Sequence, residues 1–537
     1  MNKIYNLDSF TGSGDRERFA AALEELRQNP GSTLIVPPGT YTISTPLARE
    51  AMEHVLHGDF GENPEPVMFN PDYKYDRGLD FGGHKGTTVI CPEGANLMID
   101  GYMEPISIHD CEDVTVSGFT IDHVRRPYSR GILTYREHDG EDPVYDAYFP
   151  DEIYETMPMP RECIYVNNAF RYDPFQHTLD KKFIDAHHME IKASHCTIGM
   201  TDDAPREIYF WHTFHSRPAV LIERAKNTHL SDITIHSSAG MGITAMHAEN
   251  ILIERLRVIP AVGEHMSTNT DATHFASCRG LLRIDSSEFE GQGDDTLNVH
   301  TYYYTPEVIG RRRVRLRVDA PTGTHTQSVD HPEAGDRLEI VNRKNLCVVS
   351  SMHALVVDVD FAARTCEVEV DADLPETLEG FLICDPDEVP ETEFVNCHAH
   401  NHWARSILIK SRRALIENCT VTFVYDVAVK VAAETWWYEG INTEDVTIRG
   451  CRFIGNGWRN GECGGISVTM DSDEREGSPH GRITITDNII ECPVSKLAIA
   501  VARAKELYLA NNKLSSLGEE PVYVSPEVKV TYGYPED

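Results

Sequence analysis

Three carboxylates are the side chains best spaced to do chemistry: Asp271, Asp294 and Asp295, which stand 23 and 24 residues apart. In a scaffold whose turns take about that many residues, Asp271 and the pair fall on neighbouring rungs, about 4.7–4.9 Å apart. Two or three carboxylates on one surface are what acid-assisted glycoside hydrolysis requires. Like charges so close raise at least one pKa, which supplies an acid that is protonated near neutral pH. Consecutive strand residues point to opposite faces, so both members of the pair reach one cleft only at a bend, which Gly291 and Gly293 make feasible.

Other polar residues cluster with the trio in the chain. Asn298 and His300 follow the pair directly, and His274 and Arg279 follow Asp271. Glu434 and Glu439 flank Trp436 and Trp437, a grouping that offers an indole face for a sugar ring and carboxylates for its hydroxyls. One tryptophan is expected to face the core and the other, Trp437, the substrate. Lys410 and Lys430 end apolar strands, where they can bond sugar hydroxyls or pair with acidic residues. His398, His400 and His402 alternate, so a strand places all three on one side. That pattern suits a sugar cleft or a transition metal, yet no acidic or cysteine partner follows at ligand spacing, and neither metal nor organic cofactor is expected.

The elements that must carry these residues repeat. The phrase apolar, any, apolar, two or three small or polar residues, apolar recurs at Val114–Phe119, Ile251–Leu256, Leu282–Phe289, Val446–Cys451 and Ile483–Ile489. Leu230, Ile253 and Ile284 are 23 and 31 residues apart; Ile416, Ile448, Ile485 and Leu509 are 32, 37 and 24 apart. Short β-branched strands closed by Asn, Gly or Ser at such periods predict an all-β, right-handed parallel β-helix. Two long gaps interrupt it. The second holds strictly alternating strands such as Arg313–Val318 and Cys366–Val370, as in a small antiparallel barrel or sandwich. The expected organisation is therefore β-helix over 1–125, an inserted β module over 126–215, β-helix with the aspartates over 216–302, an inserted barrel over 303–390 and β-helix over 391–537. A short helix, N-capped by Asp15 and carrying Phe19, Ala22, Leu23 and Leu26, is expected to cap the first coil; otherwise helix-period stretches are almost absent after residue 30.

Composition narrows the partners. With 49 basic and 85 acidic residues the net charge is −36, a field that disfavours nucleic acid and acidic polysaccharides. Thirteen dispersed cysteines at core-like positions fit reduced core fillers. No run approaches a membrane span and no apolar leader opens the chain, so a cytoplasmic protein is expected.

The segments Asn269–Gly280, Phe289–His300 and Glu434–Gly440 together resemble glycoside hydrolase family 110. The resemblance implies an inverting exo-α-1,3-galactosidase on a β-helix with two β-barrel insertions. It also implies a glycan partner ending in galactose, and a homodimer as the family's assembly. Carried over, Asp294 is the general acid and Asp271 and Asp295 activate water, with His274, Asn298, His300, Lys410, Glu434, Trp437 and Glu439 as the substrate-binding set. Inversion calls for an acid and base roughly 6.5–9.5 Å apart. The related polygalacturonases of family 28 carry Gly-His-Gly and Arg-Ile-Lys for the uronate; the first is absent here and Leu408-Ile409-Lys410 only partly matches the second. Alternatives are another terminal sugar such as an arabinopyranoside, or a β-helix lyase or epimerase, which requires a cationic or calcium-bearing cleft.

Overall fold

In a computed structural model of the 537-residue chain, the residues described are 3–166, 169–172, 178–194, 206–318, 330–459, 461–470 and 477–535. They form a parallel β-helix with antiparallel insertions. On one flank the strands Lys226–Ser231, Glu249–Glu254, Arg279–Asp285, Glu391–Val395, Arg413–Glu417, Asp445–Arg449, His480–Thr486 and Ala504–Ala510 pair in parallel, each with the next. The repeated apolar phrase is the physical basis of this register. Ile253, Ile284, Phe394, Ile416, Ile448, Ile485 and Leu509 stack as one buried column. Each such side chain contributes up to about 1.5–3 kcal/mol by leaving water.

The small polar residues that close each phrase turn the corner. Asp232, Arg255, Ser286, Asn396, Asn418, Asp487 and Asn511 follow those strands, all with φ between 52° and 60°. That left-handed conformation strains most L-residues, and Asn and Asp tolerate it best. Asn396 helps by donating to Asp285 at 2.9 Å. Cys397, Cys419 and Cys451 are buried just beyond this corner, and every described cysteine is a free thiol.

A second parallel flank carries the site. Its strands include Val220–Glu223, Ile243–Met246, Thr273–Ala276, Leu297–Gly310, Ile407–Ile409 and Val429–Val431. Two antiparallel excursions leave the helix. A seven-stranded sheet is built from strands between Tyr128 and Trp211. The long strand Leu297–Gly310 runs out of the helix into a closed six-stranded antiparallel barrel with Arg313–Arg317, Arg337–Asn342, Val348–Asp360, Thr365–Val370 and Phe381–Cys384.

Two expectations need correction at the N-terminus. Helix Asp15–Gln28 has Gly14 at its N-cap, and the Asp15 carboxylate instead accepts from the backbone N–H of Thr42 at 2.8 Å. A second helix, Pro46–Leu56, was not expected; Thr45 caps it through Ala48 N–H and Pro46 starts it. Among the described residues no helix is long and apolar enough to cross a membrane.

Candidate active site

The second flank places the trio by register. Thr273 pairs with Leu297 and Leu297 with Ile407, so Asp271, Asp295 and Arg405 occupy equivalent positions, each two residues before its strand. Backbone bonds tie these positions: Ala272 N–H donates to Asp295 O at 2.9 Å, and Thr296 N–H to Ser406 O at 2.9 Å. Asp294 comes forward from the bend before the strand. Gly293 permits that bend, because a Cβ there would lie 2.2 Å from Asn269 O on the rung below. One oxygen from each of Asp271, Asp294 and Asp295 lies within 4.8 Å of the others. Their nearest atoms are thus closer than the roughly 6.5–9.5 Å expected between an inverting acid and base. Stacking of adjacent rungs is the reason.

Each carboxyl has a different environment. Arg405 grips Asp295 with Nε at 3.0 Å and Nη2 at 2.7 Å, and its backbone N–H adds a third bond at 3.1 Å. Burial outweighs the guanidinium and lifts Asp295 to about 6. Asp271 bonds His274 Nδ1 at 2.7 Å; burial raises Asp271, helped by the charge of Asp295 and opposed by His274. Burial alone would lower His274, but the bond to Asp271 and the charge of Glu439 hold it above its ordinary value. Burial and the Asp271 charge also raise Asp294, which has no side-chain donor among the described residues. Burial thus raises all three carboxyls above the ordinary aspartate range.

These groups line a cavity of about 150 Å³. It is smaller than the roughly 300–1,000 Å³ of drug-sized sites, and suits one small polar ring. Phe69, Arg161, His215, Arg217, Tyr302 and Trp437 also line it. Of the expected substrate-binding set, His274, Asn298, Glu434, Trp437 and Glu439 line the cavity. Lys410 and His300 lie behind it. The Lys410 ammonium is fully buried and donates to Glu439 at 2.6 Å and Asn298 Oδ1 at 3.0 Å, with Glu434 at 3.4 Å. With that ammonium beside it, Glu439 is held down to about 2 despite burial, so it is a fixed acceptor. The His300 imidazole contacts His274 Nε2 at 2.8 Å and so sets the ring behind Asp271.

The tryptophan expectation fails in one respect: neither indole enters the core, because both sit in the turn before Glu439–Gly440, with Trp436 66% and Trp437 38% exposed. The alternating histidines part company too. His398 and His400 lie on a short strand beyond the Asn396 corner, paired with Glu288–Glu290 and Thr420–Thr422, whereas His402 is buried, with its ring against Thr296 and Trp403 O. None of the three lines the cavity. Sequence reasoning missed Arg405, Arg161, His215 and Arg217. Arg405 alone left a usable signal, its place two residues before an apolar strand.

No family model matches the chain. Curated relatives do. Alpha-1,3-galactosidase A of Bacteroides fragilis is 26% identical over 87% of this chain and 79% of its own length. Alpha-1,3-galactosidase A of Bacteroides thetaiotaomicron is 23% identical over 94% of this chain and 90% of its own. Alpha-1,3-galactosidase B of the same species is 22% identical over 80% and 71%. Among solved structures, the A-module of a mannuronan C-5 epimerase from Azotobacter vinelandii aligns over 98% of this chain and all of that one, with TM-score 0.42 and 10% identity, too distant to bear on function. Over most of its length, then, the chain is a homologue of proteins named alpha-1,3-galactosidase.

Proposed function

We propose that this chain is an exo-acting glycoside hydrolase that releases a terminal α-linked galactose with inversion at the anomeric carbon. Its kinship with alpha-1,3-galactosidases makes it an enzyme of the α-galactosidase type. The observation that carries the reading is the convergence of Asp271, Asp294 and Asp295 in a small cavity. In the proposed step, Asp294 gives its proton to the glycosidic oxygen as the bond from C1 to that oxygen breaks. A water held between Asp271 and Asp295 attacks C1 and loses its proton to that pair. Oxygens less than 4.8 Å apart suit this, since one water at about 2.8 Å from each spans such a gap. Arg405 keeps Asp295 ionised, and His274 orients Asp271. Glu434, Glu439 and Asn298 face the cavity as acceptors and donors for ring hydroxyls, and the half-exposed Trp437 offers an apolar face.

The close spacing also favours a second reading. A retaining mechanism places its two carboxyls about 5–5.5 Å apart, with one as nucleophile. Proton NMR of the sugar released in the first turnovers separates the two: β-galactose is expected, and α-galactose appearing first overturns inversion. A panel of nitrophenyl α- and β-glycosides plus galactosyl-α-1,3-galactose tests the substrate. Release of arabinopyranose in place of galactose moves the assignment to another terminal sugar, and release of no sugar at all sinks the hydrolase reading.

A further inference from the structure

We propose that Glu288, His398 and His400 form a site for a divalent transition metal, zinc fitting best, on the flank of the β-helix away from the carboxylate cavity. The sequence offers the two histidines but no partner near them. The fold supplies one from the preceding rung: Glu288 pairs in register with His398, and Glu290 with His400. One atom from each of Glu288, His398 and His400 lies within 4.8 Å of the others.

The local chemistry favours a metal over a simple ion-pair cluster. The two imidazoles stack with centroids 4.3 Å apart, so both project from the same face of the strand His398–His400. His400 Nε2 is buried without a hydrogen bond among the described residues, 3.5 Å from Glu288 Oε1. Bonds of about 2.0–2.2 Å to a tetrahedral zinc separate neighbouring ligand atoms by about 3.3–3.5 Å, so small side-chain rotations close the set. Arg257 Nε occupies Glu288 Oε2 at 3.0 Å and leaves Oε1 for the metal. Asn401 holds Glu290 Oε1 at 3.1 Å, and that oxygen is 3.5 Å from His400 Nδ1, on the far side of the ring from Glu288, where Glu290 can orient the imidazole. Two imidazoles and carboxylate oxygen select zinc, cobalt or nickel over calcium or magnesium.

The position gives the metal a purpose. Strand Glu288–Glu290 leads within four residues to Asp294, and strand His398–His400 within five to Arg405. Between them the chain makes its excursion through the six-stranded barrel. A metal here clamps together the two rungs that deliver the acid pair and its arginine, without touching substrate.

The test uses full-length protein stripped with a chelator and titrated with Co²⁺ and Zn²⁺. One equivalent of Co²⁺ is expected to give the strong visible bands of a four-coordinate ion. Zinc is expected to displace it and to raise the unfolding temperature. His398→Ala/His400→Ala is expected to lose both effects, and Glu288→Gln to bind about tenfold or more weakly. Should the double variant fold poorly, the single variants His398→Asn and His400→Asn, with their unfolding transitions recorded metal-free, are read instead. Wild type that takes up no Co²⁺, or variants that bind one equivalent as wild type does, overturns the proposal. Neither readout depends on hydrolysis, so its outcome is independent of the proposed function.

Discussion

Replacing Arg405 by Met tests the electrostatic core of the mechanism. The change keeps side-chain length and removes two charge-assisted bonds to Asp295, at 3.0 and 2.7 Å. The backbone N–H bond from residue 405 survives, and Glu434 keeps Lys430 at 3.0 Å and Lys410 at 3.4 Å, so no other charge is stranded. Hydrogen bonds to charged groups contribute about 1.5–3 kcal/mol each, and with the remaining bond in place a net loss of about 2–3 kcal/mol to the carboxylate is expected. At 1.36 kcal/mol per pKa unit, the ionisation of Asp295 moves up by about 1.5–2 units. In wild type its value of about 6 means the base is lost as pH falls through 6, and kcat/KM drops about tenfold per unit below it. In the variant that limb is expected near 7.5–8, so kcat/KM falls about 4–10-fold at pH 7 and about 30–100-fold at pH 5, with recovery by pH 9. The assay is a pH profile of kcat/KM on an α-galactoside, with Arg405→Lys as the charge-retaining control. A uniform loss at every pH, with the limb unmoved, would show that Arg405 only binds substrate and would refute the reasoning. The limb belongs to the coupled trio, so its displacement is the observable and not a microscopic constant of Asp295.

Asp294→Asn removes the proposed acid: kcat on a disaccharide is expected to fall about 10²–10⁴-fold, and far less on a nitrophenyl galactoside whose leaving group needs no proton. Equal losses on both would move the acid role elsewhere. Lys410→Met leaves Glu439 buried without its ammonium and is expected to destabilise the fold by about 3–5 kcal/mol in denaturant titration, since breaking a buried pair strands a charge; a change below about 1 kcal/mol contradicts the positioning role. Gly293→Ala drives a Cβ to 2.2 Å from Asn269 O, so a loss of about 1–3 kcal/mol and displacement of Asp294 are expected, read by thermal unfolding and kcat together.

What the sequence discloses of this site depends on what lies between the rungs. Asp271 and Asp295 are legible because nothing but one coil of 24 residues separates them, so spacing alone reports that they stack. The β-helix is legible for the same reason: its branched apolar residues alternate, and most of its corners carry Asn, Asp, Ser or Gly at fixed places. Arg405 occupies the next rung of the same column, yet it stands 110 residues on, because the barrel was spliced between the two rungs. The Glu288–His398 pair is hidden by the same insertion and the same interval of 110. Period therefore fails where the site is most elaborate, while strand register does not, since any excursion that leaves and re-enters the helix must return its strand to the same backbone ladder. Removing the barrel from the count restores the column Asp271, Asp295, Arg405. Insertions between rungs thus lengthen the sequence distance to a partner without moving it in space. In such a scaffold the partners of a catalytic residue are to be sought two residues before the next apolar strand, however far away that strand begins.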